Sequence, residues 1–419
     1  MSPLHETTQR YVCRVLFVVC SALPMLLTVG WIAHFYRPWR LGDWQRGLTE
    51  KLHVRATVDQ VASPRPGVTT LRNLRFADLR SKKSLGRLGE LRCQWRGGRL
   101  ILRADLVELE AGRLPKLAEA LATWLAAGDF VPVDLEVNRL VLVGGISAGA
   151  TWRNLRLSSH THTAQRQRID LQVEPAGKDL AGDLPEDSTV HLIVDYQPRT
   201  TGATIHATLD TQQGSLPAWL MAHLIPGGMH RSPAAVFRGT AQVEWQAEHT
   251  RGTLQGSFAP IDLASWLGST TPNRLQGSAT LQLSNLVWQD ARVTLAEGEL
   301  QAGRGTANPH LLSASNKWLD CPLSPALRSR LVRKSTELVP FDQLALKFRL
   351  DSAGIHITGQ SLPGCLLAHE GERLLLEPPS PLPVARLVQL LHLPVAGWLP
   401  DTEEAHEMAG RLPLPRAFR

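Results

Sequence analysis

The chain has 419 residues, 43% of them apolar and 20% charged, which excludes a wholly disordered or collagen-like protein and allows two or three domains. Five cysteines in this length exclude a disulfide-rich scaffold. The net charge is +7, and only 8 of the 45 basic residues are lysine, so the cationic groups are mostly guanidinium, suited to carboxylates and phosphates.

Residues 1–14 read as a short tail and 15–36 as a transmembrane anchor. Val15 to Phe35 is 21 residues without a formal charge, and a helix of that length spans ~31 Å, close to a hydrocarbon core of about 30 Å. Trp31, Tyr36 and Trp39 stand where an interfacial aromatic belt would. A cleaved signal peptide would have a shorter apolar core and a small-x-small site, neither of which the run shows. Arg10 and Arg14 precede the run, and Arg37, Arg40, Arg46, Lys51 and Arg55 follow it. This charge distribution leaves the orientation open, because long domains translocate largely regardless of charge.

Residues 37–130 read as a first β/α unit holding a basic stretch: Arg72, Arg75, Arg80, Lys82, Lys83, Arg87, Arg92, Arg96, Arg99 and Arg103, opposed within that window by Asp78 and Glu90. Such a stretch is either the solvated outer face of strands or a patch facing anionic head groups. Nucleic acid would feel the same field, but no nucleic-acid-binding module is legible, and the chain is read as having no such partner.

From about residue 53 onward the dominant signal is period-2 alternation, the mark of antiparallel sheets with one apolar and one wet face. Leu91, Cys93 and Trp95 alternate with Glu90, Arg92 and Gln94. The same holds for Val131 to Val137, Ile169 to Val173, Ile205 to Leu209, Ala241 to Trp245, Leu281 to Leu283, and Leu344 to Leu350. Helical spacing is expected over Leu114 to Ala127, Leu216 to Leu224, Leu263 to Leu267, Ser324 to Leu338 and Pro383 to Leu391. A short repeat recurs: Leu71-Arg72-Asn73-Leu74, Trp152-Arg153-Asn154-Leu155 and Leu283-Ser284-Asn285-Leu286, each followed by a second strand. Residues 131–360 form the β-rich repeat region, and 361–419 a C-terminal helix and Pro-rich tail. The apolar faces must pair with a second sheet, close into a barrel or line a gutter, and periodicity does not choose among these.

Sites of chemistry are sparse. Gly145-Ile146-Ser147-Ala148-Gly149 matches a nucleophile elbow, but that chemistry needs a helix after the serine and a strand is expected there, so a serine hydrolase using Ser147 is a remote alternative. His160-Thr161-His162 is expected in a loop, with no nearby carboxylate or cysteine to complete a metal site. Cys93, Cys321 and Cys365 lack C-x-x-C spacing, and a Cys321–Cys365 disulfide is an option in an oxidising compartment. No cofactor, no metal ligand set and no catalytic residue is assigned, and the chain is read as a non-enzyme.

An apolar run followed by strands, with Gly67 to Asp78, Leu88 to Trp95, Gly98 to Leu109, and Phe341 to Leu350 with Gly354 to Ile357, resembles the AsmA-like family, relatives of TamB-type and chorein-type lipid-transfer proteins. The resemblance covers residues 10–110 and 270–360. It implies an elongated, curved antiparallel β-sheet behind a transmembrane helix, with an acyl-chain groove. It also implies inner-membrane anchoring with a periplasmic domain, and a part in lipid transport or envelope biogenesis with membrane lipids and other envelope proteins as partners. Lining candidates on this reading are Leu91, Trp95, Val133, Leu135, Val243, Trp245, Leu281, Leu283, Leu346 and Phe348. The alternative is a structural or adaptor β-protein whose apolar faces are filled by its own side chains.

Overall fold

The computed structural model describes residues 39–52, 54–65, 67–79, 81–114, 116, 117, 119, 120, 131–144, 150–163, 166–176, 188–199, 202–221, 234–246, 249–267, 274–290, 292–333 and 337–391, with 25, 28 and 29 near the N-terminus. The anchor expected at 15–36 and most of the helix expected over Leu114 to Ala127 lie outside these. Among the described residues no helix is long and apolar enough to cross a membrane.

The protein is mainly β with a few short helices. The chain divides into two units, Met1–Leu135 and Glu136–Arg419, five residues from the border expected at 130/131. In the first, α1 (Trp39–Leu52) precedes β1 (Val54–Thr57), β2 (Gln60–Arg65), β3 (Val68–Asp78), β4 (Ser84–Arg96) and β5 (Arg99–Glu110). β1 and β2 pair with the two halves of β3, β3 with β4, and β4 with β5, all antiparallel. The apolar partners Leu71, Leu91 and Ala104 form one buried row, and Leu74, Leu88 and Val107 another. Helix α1 lies along β1: Gln45 donates to the Val58 carbonyl at 3.0 Å, and Thr49 Oγ1 accepts from the Ala56 amide at 3.1 Å.

The second unit takes up β6 (Val133–Val143), which spans the border, and continues through β7 (Thr151–Thr163), β8 (Arg166–Ala176), β9 (Val190–Arg199) and β10 (Gly202–Asp210). Next come β11 (Leu216–Pro217), α2 (Ala218–Met221), β12 (Val236–Gln246), β13 (His249–Asp262) and α3 (Leu263–Leu267). They are followed by β14 (Leu275–Gln289), β15 (Arg292–Ala307), α4 (Pro309–Trp318), α5 (Pro325–Arg333) and β16 (Val339–Phe341). The last elements are β17 (Gln343–Asp351), β18 (Gly354–Gly359), β19 (Cys365–His369), β20 (Glu372–Leu376) and α6 (Val384–Leu391). Pairing follows chain order from β7 to β10, then β12 to β15, β17 and β18, with β11 and β16 short additions and β19 and β20 beside β17. Every one of these pairings is antiparallel, as the alternation predicts.

Three expectations are corrected. His160 to His162 stand on β7, not in a loop. The helix expected from Leu216 begins as strand β11 and turns helical only at Ala218, because Leu216 and Pro217 pair with Phe237 and Val236. The segment from 361, expected as helix and tail, first supplies β19 and β20.

The Asn-Leu repeat has a structural meaning. In a regular strand, residues three apart face opposite sides. Yet Leu71 and Leu74, Trp152 and Leu155, and Leu283 and Leu286 are all buried. Asn73 and Asn154 adopt left-handed backbone, φ 52° and 51°. The register slips by one beside Asn154 and beside Asn285, while at Asn73 the facing strand makes the same three-residue step, Leu88 to Leu91. The Asn thus absorbs an extra residue and returns the following Leu to the apolar face. Asn154 also donates to Glu174 Oε2 at 2.6 Å. Because a side chain with a Cβ loses ~1–2 kcal/mol in that backbone region, Asn154→Ala should lower the denaturant midpoint and Asn154→Gly should recover most of it. Equal loss in both variants would contradict this account.

Candidate functional site

Residues directly opposite in an antiparallel pair lie on one face of the sheet. Following partners from strand to strand in the second unit gives a row of ten aliphatic residues: Leu157, Leu171, Leu192, Leu209, Ala241, Leu254, Leu286, Ala296, Leu350 and Ile355. A second row on the same face runs Leu216, Phe237, Phe258, Leu281, Leu300 and Leu346. Between them lie Gly256, Leu283, Gly298 and Phe348. Beyond the first row, Ile169, Val194, Ala207, Val243, Gly252 and Trp288 form another, and beyond that Tyr196, Ile205 and Trp245 align.

Six of the ten lining candidates, Val243, Trp245, Leu281, Leu283, Leu346 and Phe348, therefore share one apolar face. Val243, Leu281 and Leu283 are withdrawn from solvent, and Trp245, Leu346 and Phe348 are half-buried. The other four belong to the first unit. Leu91 is buried in its core, Val133 and Leu135 are half-buried on β6, and Trp95 is 55% exposed at the end of β4. A hollow of about 670 Å³ lies on the opposite face of the second unit, with Arg238, Ser257, Thr280, Gln301 and Gln343 in its lining. Arg238 faces Ser257 across one pair and Thr280 faces Gln301 across another, so this hollow is not the apolar face.

The basic stretch is largely neutralised. Arg72 lies 3.6 Å from Glu90, and Arg92 hydrogen-bonds it at 2.8 Å. Arg75 is 3.6 Å from Asp59, Arg87 holds Glu108 at 2.9 Å, and Arg99 holds Asp134 at 2.6 Å. Hydrogen bonding from Arg92 holds Glu90 below the ordinary carboxylate range, and Arg87 does the same for Glu108. Arg103 also has an interaction partner, and Arg80 lies outside the described residues. A count within residues 72–103 misses Asp59, Glu108 and Asp134, which pairing brings onto the same face. Lys82, Lys83 and Arg96 make no ion pair among the described residues.

Ser147 and its flanking glycines lie outside the described residues. They connect β6 to β7, with the Leu142 amide donating to the Ala150 carbonyl at 2.9 Å, so a strand follows where an elbow needs a helix. His160 Nε2 lies 3.1 Å from Ser158 Oγ, and among the described residues no group of three or more metal-ligating side chains forms.

Cys93, Cys321 and Cys365 are buried free thiols, so the optional Cys321–Cys365 disulfide is absent. Burial pushes Cys93 up to about 11 and Cys321 up to about 12, and Cys365 donates to the Leu367 carbonyl at 3.0 Å. The thiolate is the reactive form. Because all three are also buried, they should resist iodoacetamide at pH 8 in the native protein and react after urea unfolding, as read by peptide mapping. Rapid native labelling of Cys321 would contradict its burial.

Comparison of the chain with protein-family models, with curated proteins and with solved structures finds no match in any of the three.

Proposed function

We propose that the chain is a non-enzymatic, membrane-anchored β-protein of AsmA type, binding lipid acyl chains on the apolar face of its second unit and contributing to lipid transport or envelope biogenesis. On this reading the apolar run at 15–36 holds it in the inner membrane, with the β-rich part in the periplasm and membrane lipids and envelope proteins as partners. The observation that carries the reading is the register. Partner residues stay apolar across nine consecutive pairing steps of one antiparallel meander, and half-buried Trp245, Leu346 and Phe348 lie on the same face. Contact of this kind is unselective, at about 25 cal/mol per Å² of apolar area removed from water, so no single residue is required to act as a catalyst would.

A second reading has its own support. Val243, Leu281 and Leu283 are already only 5%, 4% and 6% exposed, which favours a structural or adaptor protein whose apolar face is closed by its own side chains. The two separate in one experiment. The chain from Trp39 onward is purified without detergent, weighed by native mass spectrometry and extracted for lipid. Co-purified phospholipid at fixed stoichiometry supports acyl-chain binding. A lipid-free, monodisperse protein supports the structural reading.

A further inference from the structure

Trp95 departs from the rest of its face. It shares one side of β4 with Leu91 and Cys93, which are 8% and 7% exposed, yet it is itself 55% exposed. It stands beside the Gly97-Gly98 turn that joins β4 to β5, where Arg96 faces Arg99. Its amide donates to the Gly67 carbonyl at 3.4 Å, which ties this tip to the β2–β3 turn. Arg65, at that second tip, and Arg96 are both exposed, and neither makes an ion pair among the described residues. Arg99, by contrast, is committed to Asp134. Strand pairing puts Arg65, Gln94 and Arg96 on one side of the sheet and Trp95 on the other, so the two tips together present a large aromatic ring on one side and, on the other, two guanidinium groups with no ion pair among the described residues.

The direction of α1 says what this end faces. Thr49 meets Ala56 and Gln45 meets Val58, so the helix runs antiparallel to β1. Its first residue, Trp39, lies about 9 Å beyond Gln45, toward the Arg65, Gly67 and Trp95 end of the sheet. The apolar run ends at Phe35, four residues before Trp39, a separation that a chain spans with at most ~14 Å. The opposite end carries the β3–β4 turn with Lys82 and Lys83.

We propose that the paired β2–β3 and β4–β5 tips dock on an anionic lipid surface, with Trp95 at the level of the head groups and Arg65 and Arg96 on lipid phosphates. Tryptophan settles at the membrane–water interface because its ring is apolar while its N–H needs a polar partner. The guanidinium fork matches phosphate oxygens. The inference rests on the membrane-anchored reading and narrows the basic stretch to one end of the first unit. Lys82 and Lys83, at the other end, take no part.

The full chain is reconstituted into vesicles of equal parts phosphatidylethanolamine and phosphatidylglycerol, with a photoreactive benzoylphenylalanine at position 95 or at position 82. Flotation is read first, then lipid adducts by mass spectrometry. The expected result is adducts at 95, none at 82, and a severalfold loss at 95 when Arg65→Glu and Arg96→Glu are combined. Protein that floats but gives adducts only at 82, or at neither position, overturns the docking surface and leaves the anchor standing. Protein that does not float overturns the anchor and the docking surface with it.

Discussion

Gly252→Ala should destabilise the protein far more than the addition of one methyl group suggests. Gly252 and Trp288 are cross-strand partners on β13 and β14. The indole lies against the glycine, and a Cβ there would fall within the ring's own van der Waals envelope. Trp288 is 1% exposed. Overpacking a filled core costs about 1–3 kcal/mol and sometimes more, and here the ring must leave its site, so the upper end is expected. Trp288→Ala should itself cost about 3–5 kcal/mol, the usual range for a buried aromatic. In that background Gly252→Ala should become nearly neutral, because the clashing partner is gone. Urea denaturation of the four proteins checks this. Additive losses would mean the ring and the glycine are not the interacting pair.

Phe258→Ala should be the most damaging single truncation away from Trp288. Phe237 and Phe258 are opposite one another on β12 and β13, with ring centroids 4.9 Å apart and both side chains 0% exposed. Removing one ring leaves a cavity floored by its partner, at a cost of about 3–5 kcal/mol. Phe258→Leu should recover a large part of that loss by refilling the space. The comparison is made by thermal and denaturant unfolding. A loss from Phe258→Ala no larger than that from an exposed-residue exchange would place this pair outside the core.

How far the fold can be read from sequence depends on where the apolar signal is carried. β4, β6, β8, β10, β12 and β17 announce themselves, because each presents its own apolar side chains at period 2. β13 and β15 do not. Their apolar face includes Gly252, Gly256, Gly298 and Gly305, and neighbours fill those gaps: Trp288 covers Gly252, Leu283 and Phe348 flank Gly298, and Phe341 lies over Gly305. The hydrophobicity sits one strand away from the residue that needs it. α4 was missed for another reason. Its evidence is a cap, with Asn308 accepting from the Leu311 amide at 2.9 Å and Pro309 opening the helix, a start signal rather than a periodic face.

The candidate site divides in the same way. Alternation brought Val243, Trp245, Leu281, Leu283, Leu346 and Phe348 onto one face, because parity along a strand fixes the side of a sheet. It did not foresee the exposure of Trp95, since parity says nothing of where along a strand the cover ends. Nor could a local charge count foresee that Asp59, Glu108 and Asp134 would answer Arg75, Arg87 and Arg99, for those partners meet only through strand pairing.

The most direct test of acyl-chain binding compares two positions on adjacent strands that face opposite sides. Phe348 is half-buried on the apolar face of β17, and Gln301 is exposed on the polar face of β15. A photoreactive residue replaces each in turn in the full chain, in membranes, and adducts are identified by mass spectrometry. The account predicts phospholipid adducts at 348 and none at 301. Adducts confined to 301, or position 348 crosslinking only to the protein's own strands, would contradict it and leave the apolar face as a closed core.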